Sequence, residues 1–214
     1  FRPLAETLRT QMALSGAVRI DHILGFDRAF WVPDGGGEGA YVDLPTEAML
    51  AVVRMEAARA GCVVVGEDLG NVPRGLRATL DRSGILGCRL QMFEREPTKE
   101  PAFRAPQAYD RRAIASFSSH DLPTWTGWRQ GREIDLRLSL GHVEAGFAAE
   151  EQTRREKEVA AFDRMTAKVR PDGTDPASAD AMHHALAATA SVLAMVQIEC
   201  ALDLEAQPNL PGTV

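Results

Sequence analysis

The sequence is short of the features that mark several large classes of protein. It has three cysteines, Cys62, Cys88 and Cys200, an odd number with no repeated spacing. That excludes a disulfide framework and a cysteine metal site of the usual spacing, and makes a reducing, cytoplasmic setting the expectation. Positive charge is in deficit: 24 Lys and Arg stand against 30 Asp and Glu, a formal net charge of -6. A nucleic-acid binder needs a basic face, so no nucleic-acid partner is expected. No apolar run is long enough for a transmembrane helix, and "FRPLAETLRT" has no apolar core of the signal-peptide kind. Neither internal repeats nor low-complexity tracts interrupt the 214 residues. The chain opens on Phe1, already inside a helical pattern, and so reads as part of a longer protein.

What is present is an ordinary globular composition, 45% hydrophobic and 25% charged. The order of elements carries the fold. A helix over Pro3–Leu14 ends at Gly16, and a strand follows at Ala17–Ile23. A glycine-rich loop, "PDGGGEGAYVDLP", leads into a helix over Thr46–Ala60, where Met49, Leu50, Val53 and Ala57 recur at helical spacing and Gly61 is the stop. "CVVVG", Cys62–Gly66, is a continuous β-branched run suited to a strand buried on both faces of a parallel sheet. The pattern repeats: a helix from Pro73 to Arg82, a strand at Cys88–Phe93, a polar loop over Arg95–Asp110, and a strand at Ala113–Phe117. A long amphipathic helix over 148–169 shows one apolar face through Val159, Phe162, Met165 and Val169, its charge run reading as a solvated face. A loop at 171–176, a helix from about Ser178 and a last strand near Ala194–Ile198 complete the chain. Strands alternating with helices predict βα units and a parallel sheet of about five strands. An open sheet and the later part of an eight-stranded α/β barrel both satisfy this pattern, since a closed barrel typically takes about 250 residues.

Charged residues fall where such folds work. "VRIDHILGF", Val18–Phe26, reads as a buried strand running into a glycine, yet holds Arg19, Asp21 and His22. Charge leaves water only at a cost of several kcal/mol per ion, so a use for it is expected. Asp21 ends "AVRID", Glu67 ends "CVVVGE" and Asp121 follows "AIASFSSH". Each acid stands at the carboxyl end of a predicted strand, the edge where parallel α/β folds bind ligands. Arg19 and Asp21, two apart on a strand, share a face. An arginine there keeps the acid ionised, as a carboxylate nucleophile requires. Glu67, after four apolar residues and a glycine, is expected to be partly buried with a raised pKa, as a general acid requires. A retaining glycosidase uses such a pair about 5–5.5 Å apart. A lone Asp after a strand is ordinarily a turn or N-cap residue, and Asp43 and Asp68 are read so.

Four blocks together, "AVRIDHILGF", "GAYVDLPTEAML", "CVVVGEDLGNVP" and "SSHDLPTWTGW", resemble glycoside hydrolase family 77, the amylomaltases of the α-amylase clan. The resemblance runs along nearly the whole chain and includes "QIECALDLEAQPNLPGT" near its end. It implies a partial (β/α)8 TIM barrel, roughly strands four to eight, with the N-terminal part of the barrel absent, so that 1–214 is an incomplete domain. It implies 4-α-glucanotransferase activity on maltooligosaccharides and α-1,4-glucans by retaining double displacement. Asp21 would be the nucleophile, Glu67 the acid/base and Asp121 the third carboxylate, which holds sugar hydroxyls. Arg19 would orient Asp21, and His120 would bind the donor-side sugar. No cofactor, metal or membrane partner is implied. The same acids serve a same-clan hydrolase, and a non-catalytic glucan-binding piece is the rival of another class. Where the family often has Asp after Gln-x-Glu, this chain has Cys200, an expected change in packing or loop support.

Other signals are weaker. Gly35–Gly39 lacks the Lys-Ser/Thr of a phosphate loop and reads as a rim loop. His183 and His184 are adjacent on a helix and point different ways, which disfavours joint ligation. Trp31, Tyr41, Trp125 and Trp128 flank the acidic blocks, either as sugar platforms or as core. His22 is either a structural hydrogen-bonding residue or a substrate contact.

Overall fold

A computed structural model describes residues 1–211. Its elements in chain order are α1 (Arg2–Met12), β1 (Ala17–Ile20), a 3-10 turn (Ile23–Phe26), β2 (Arg28–Trp31), β3 (Ala40–Asp43), α2 (Thr46–Ala60), β4 (Val63–Gly66), α3 (Leu76–Arg82), β5 (Gly87–Leu90), a second 3-10 turn (Pro106–Ala108), β6 (Ala113–Ser116), α4 (Trp125–Gln130), α5 (Arg132–Ser139), α6 (Ala145–Thr166), α7 (Ala179–Ala187), β7 (Leu193–Met195) and α8 (Ile198–Ala201). The fold is mixed α/β. It comprises two compact units, 1–88 with 112–114, and 89–111 with 115 onwards.

In the first unit, β1 and β4 pair in parallel, with Ile20 opposite Gly66. A parallel bridge joins Val65 to Leu86. The expected βα alternation is therefore present. Its core gathers Leu8 and Met12 of α1, Leu50 and Val53 of α2, Val64 of β4, and Leu76 and Leu80 of α3. Gly66 is required by close approach: a Cβ there would lie 2.7 Å from the Ile23 side chain. Beside this core β2 and β3 form an antiparallel hairpin, closed by an edge-to-face contact of Phe30 with Tyr41 and by Arg28 over the Tyr41 ring. The sequence pattern puts β3 within the glycine-rich loop and predicts no element for β2. The hairpin strands are four residues each and largely exposed, so they lack the buried alternation that identifies a strand.

β5, β6 and β7 form a three-stranded sheet in that order. Hydrogen bonds from Gly87 N to Arg112 O and from Gln91 N to Ser116 O advance together along both strands, so β5 and β6 run parallel. The second unit is built on an aromatic cluster. Phe117, Trp125, Trp128 and Phe162 make mutual ring contacts, with centroids 5.2–6.0 Å apart. Trp125 and Trp128 are core residues, which settles their alternatives; Trp31 and Tyr41 stay exposed. These two tryptophans belong to α4, which with α5 the sequence reading did not find.

Three further expectations change. Strand β1 is not buried: Ala17 and Arg19 are exposed and Val18 and Ile20 only half-buried, and the strand ends at Ile20 because His22 turns left-handed. Asp68 is no turn residue. It is 1% exposed, accepts from Cys88 N at 2.8 Å and pairs with Arg77 Nε at 2.8 Å. The charged run of α6 is not wholly solvated, because Arg155 and Glu158 are buried in an ion-pair network. A charged side chain goes inside when its partners are there, and Arg155 Nη2 reaches Glu133 at 2.5 Å while Nη1 donates to Trp128 O at 2.6 Å. Among the described residues no helix is long and apolar enough to cross a membrane.

Candidate active site

The parallel pairing of β1 with β4 positions the first two acids. Ile20 and Gly66 are register partners, and Asp21 and Glu67 are the next residue on each strand. The ladder continues past the strands: Glu67 N donates to Ile20 O at 2.9 Å and Ile23 N to Glu67 O at 3.1 Å. Asp21 and Glu67 thus stand at matching positions on the carboxyl edge.

Arg19 and Asp21 share the face that their spacing requires. Arg19 Nη2 lies 2.7 Å from Asp21 Oδ1, and the Asp21 side chain is 76% exposed. A carboxyl group with an arginine beside it and open access to solvent is placed to attack an electrophile. Glu67 is half-buried and differently held. Its Oε2 accepts from His22 N at 2.9 Å and its Oε1 from Leu69 N at 3.0 Å. His22 reaches Glu67 through its main chain, at φ 44° and ψ 55°, a conformation rare for a residue with a side chain. The structural reading of His22 therefore has a geometric basis in its N–H. The buried Asp68 next to Glu67 ties the same loop to β5 and α3.

In the second unit, Asp121 lies past the end of β6. Asp121 Oδ1 accepts from the Asn209 side-chain amide, and Oδ2 lies 3.3 Å from His120 Nε2. Gln207 Nε2 donates to Asp121 O at 2.9 Å. Sequence reasoning gave Gln207 and Asn209 no role, although "AQPN" lies in a quoted block. Gly212 and Thr213 of that block lie outside the described residues. Gln197, of the same block, accepts from Ser118 N at 3.2 Å and Ser118 Oγ at 2.9 Å, so it braces the start of the loop that carries His120 and Asp121. Cys200 is a buried thiol whose sulfur accepts from Trp125 N at 3.3 Å, and burial pushes its pKa up. His183 is half-buried and His184 exposed, and burial holds the His183 imidazole below its ordinary pKa. Among the described residues no cluster of three or more His, Cys, Asp or Glu could hold a metal ion.

The chain is 35% identical over 221 residues to the 4-alpha-glucanotransferase of Mycobacterium tuberculosis, covering 100% of this chain and 30% of the relative. It is 29% identical to that of Haemophilus influenzae, covering 100% of this chain and 32% of the relative. The chain thus spans about a third of the length of these relatives. Among solved structures it superposes on amylomaltase from Corynebacterium glutamicum with a TM-score of 0.82 at 28% identity, covering 100% of this chain and 32% of that one. An amylomaltase from Streptococcus agalactiae, solved with acarbose, shares the fold at a TM-score of 0.69 and 18% identity, over 98% of this chain and 38% of that one. The profile of the family described as 4-alpha-glucanotransferase matches residues 1–214, so the chain belongs to that family.

Proposed function

We propose that this chain carries the catalytic acids of a 4-α-glucanotransferase that moves α-1,4-glucan segments between maltooligosaccharides. The observation that carries the reading is the β1–β4 edge, where an exposed, arginine-paired Asp21 stands in register beside a half-buried Glu67. Within a family named for this activity, two carboxylates in different environments suit two roles.

Asp21 attacks the anomeric carbon of the donor, and the bond to the leaving glycosidic oxygen breaks as Glu67 gives that oxygen its proton. The product is a glucosyl ester on Asp21 and a shortened glucan. The 4-hydroxyl of a second glucan then loses its proton to Glu67 and attacks the same carbon, releasing Asp21. Two inversions retain the α configuration. Arg19 orients Asp21 through its guanidinium. Asp121 holds sugar hydroxyls in the oxocarbenium-like transition state, and His120 contacts the donor-side sugar. No cofactor enters this cycle. In the same reading β1, β4, β5, β6 and β7 are roughly the fourth to eighth strands of a (β/α)8 barrel, and the protein acts in the cytoplasm.

The test is the product profile from maltotriose, read for this chain and for the polypeptide completed upstream. Glucose together with chains longer than maltotriose supports transfer. Glucose and maltose alone replace it with hydrolysis. Binding of maltoheptaose with no turnover in either version reduces the chain to a glucan-binding piece.

A further inference from the structure

The segment after α8 crosses back over the loop that bears Asp121. Thr124 Oγ1, fully buried, donates to Leu204 O at 2.6 Å. Gly127 allows the approach, because a Cβ there would lie 2.6 Å from Glu205 O. Beyond this anchor, Gln207 Nε2 reaches two carbonyls at once, Asp121 O at 2.9 Å and Asn209 O at 2.6 Å. Both partners are carbonyl oxygens, so only the amide NH2 can serve them. Asn209 N donates to His120 O at 3.1 Å, and the Asn209 side-chain amide donates to Asp121 Oδ1. With His120 Nε2 at Oδ2, both oxygens of Asp121 are engaged.

We infer that Gln207 and Asn209 form a clasp that positions the Asp121 carboxylate, making both of them positioning residues for the reaction. The inference rests on Asp121 being the third carboxylate of the proposed function. Asp121 follows a short loop, its side chain is 43% exposed, and neither strand nor helix fixes its rotamer. Asn209 supplies the missing direction by aiming a donor at one oxygen. Gln207 sets Asn209 at the right distance by holding the main chains of both residues on one nitrogen. A carboxylate that must meet sugar hydroxyls in the transition state loses rate when its orientation spreads, even though substrate still binds.

The experiment compares Gln207→Glu, Asn209→Leu and Asp121→Asn, singly and as double variants, in the polypeptide as its gene encodes it. Gln207→Glu keeps the shape but replaces the donor. Each clasp variant is expected to lower kcat about tenfold or more with KM within about threefold, at an unchanged unfolding midpoint. Added to Asp121→Asn, neither should lower kcat further, since groups acting through one another are not additive. If Gln207→Glu fails to fold, Asn209→Leu reads the same clasp from its other end. Full kcat in both clasp variants with an inactive Asp121→Asn overturns the clasp alone. Losses that multiply with Asp121→Asn overturn it too, because the two residues would then act elsewhere. Full kcat in Asp121→Asn overturns the role of Asp121 itself.

Discussion

The main-chain N–H of His22 donates to Oε2 of Glu67 at 2.9 Å. The bond ties the residue after one acid to the side chain of the other, and it exists because His22 is left-handed at φ 44°. An L-residue there carries about 1–2 kcal/mol of strain, which a glycine would not. His22→Gly is therefore expected to keep the bond and to unfold at the same midpoint or a higher one, the relieved strain offsetting the added chain entropy of glycine. His22→Val, β-branched, should destabilise by about 1–3 kcal/mol and lower transfer with it. Equal stability of the two variants in urea unfolding would show that the turn does not depend on this backbone geometry.

Glu67 and Asp21 can be told apart by the leaving group. Glu67→Gln should slow maltotriose turnover by about 10²–10⁴-fold, the usual worth of a general acid. A glucosyl fluoride needs no proton on its leaving group, so fluoride release in the first turnover should largely survive in that variant. Asp21→Asn should abolish both. Equal losses on the two donors in Glu67→Gln would remove its role as acid.

Arg19 and Asp21 form an exposed pair, so their bond contributes little to folding. Replacing Arg19 with Met should change stability by at most about 1 kcal/mol. The same change should lower kcat about tenfold or more, because Asp21, the proposed nucleophile, loses the guanidinium that orients it. Unaltered kcat would reduce the pair to a surface contact.

Acid should weaken the second unit through Glu158. Burial pushes its pKa up, but the Arg95 hydrogen bond and the charges of Arg95, Arg155 and Arg154 outweigh that and hold it below the ordinary value. Arg95 Nη1 lies 2.5 Å from Glu158 Oε1. A lowered folded-state pKa gives stability that is complete above the unfolded value, about 4.3, and is lost as pH falls through the folded one. Glu158→Gln should thus be less stable than the parent at pH 7, with the gap closing below about pH 4. A gap in unfolding free energy that stays constant with pH would refute the linkage.

Much of this was legible along the chain. Helix α2 runs over Thr46–Ala60 as its apolar spacing requires, and the strands at Ala17, Val63, Gly87, Ala113 and Leu193 start within a residue of their expected positions. Long periodic segments declare themselves locally. The hairpin β2–β3 did not, because its alternation is short and its aromatics face out. Helices α4 and α5 did not; in α4, Trp125 and Trp128 are buried against Phe162, which lies far off in sequence.

The same division holds at the site. Sequence by itself determined which acids end strands, that Arg19 and Asp21 share a face, and to which family the chain belongs. These follow from period, spacing and motif, all properties of neighbouring residues. Only the tertiary structure decided that His22 serves Glu67 by its main chain, that Asp68 is a buried tether, and that Gln207 and Asn209 hold Asp121. Each of these depends on a hydrogen bond between residues from 9 to 88 positions apart. No periodicity encodes such a bond, since it forms only when folding brings a donor to an acceptor.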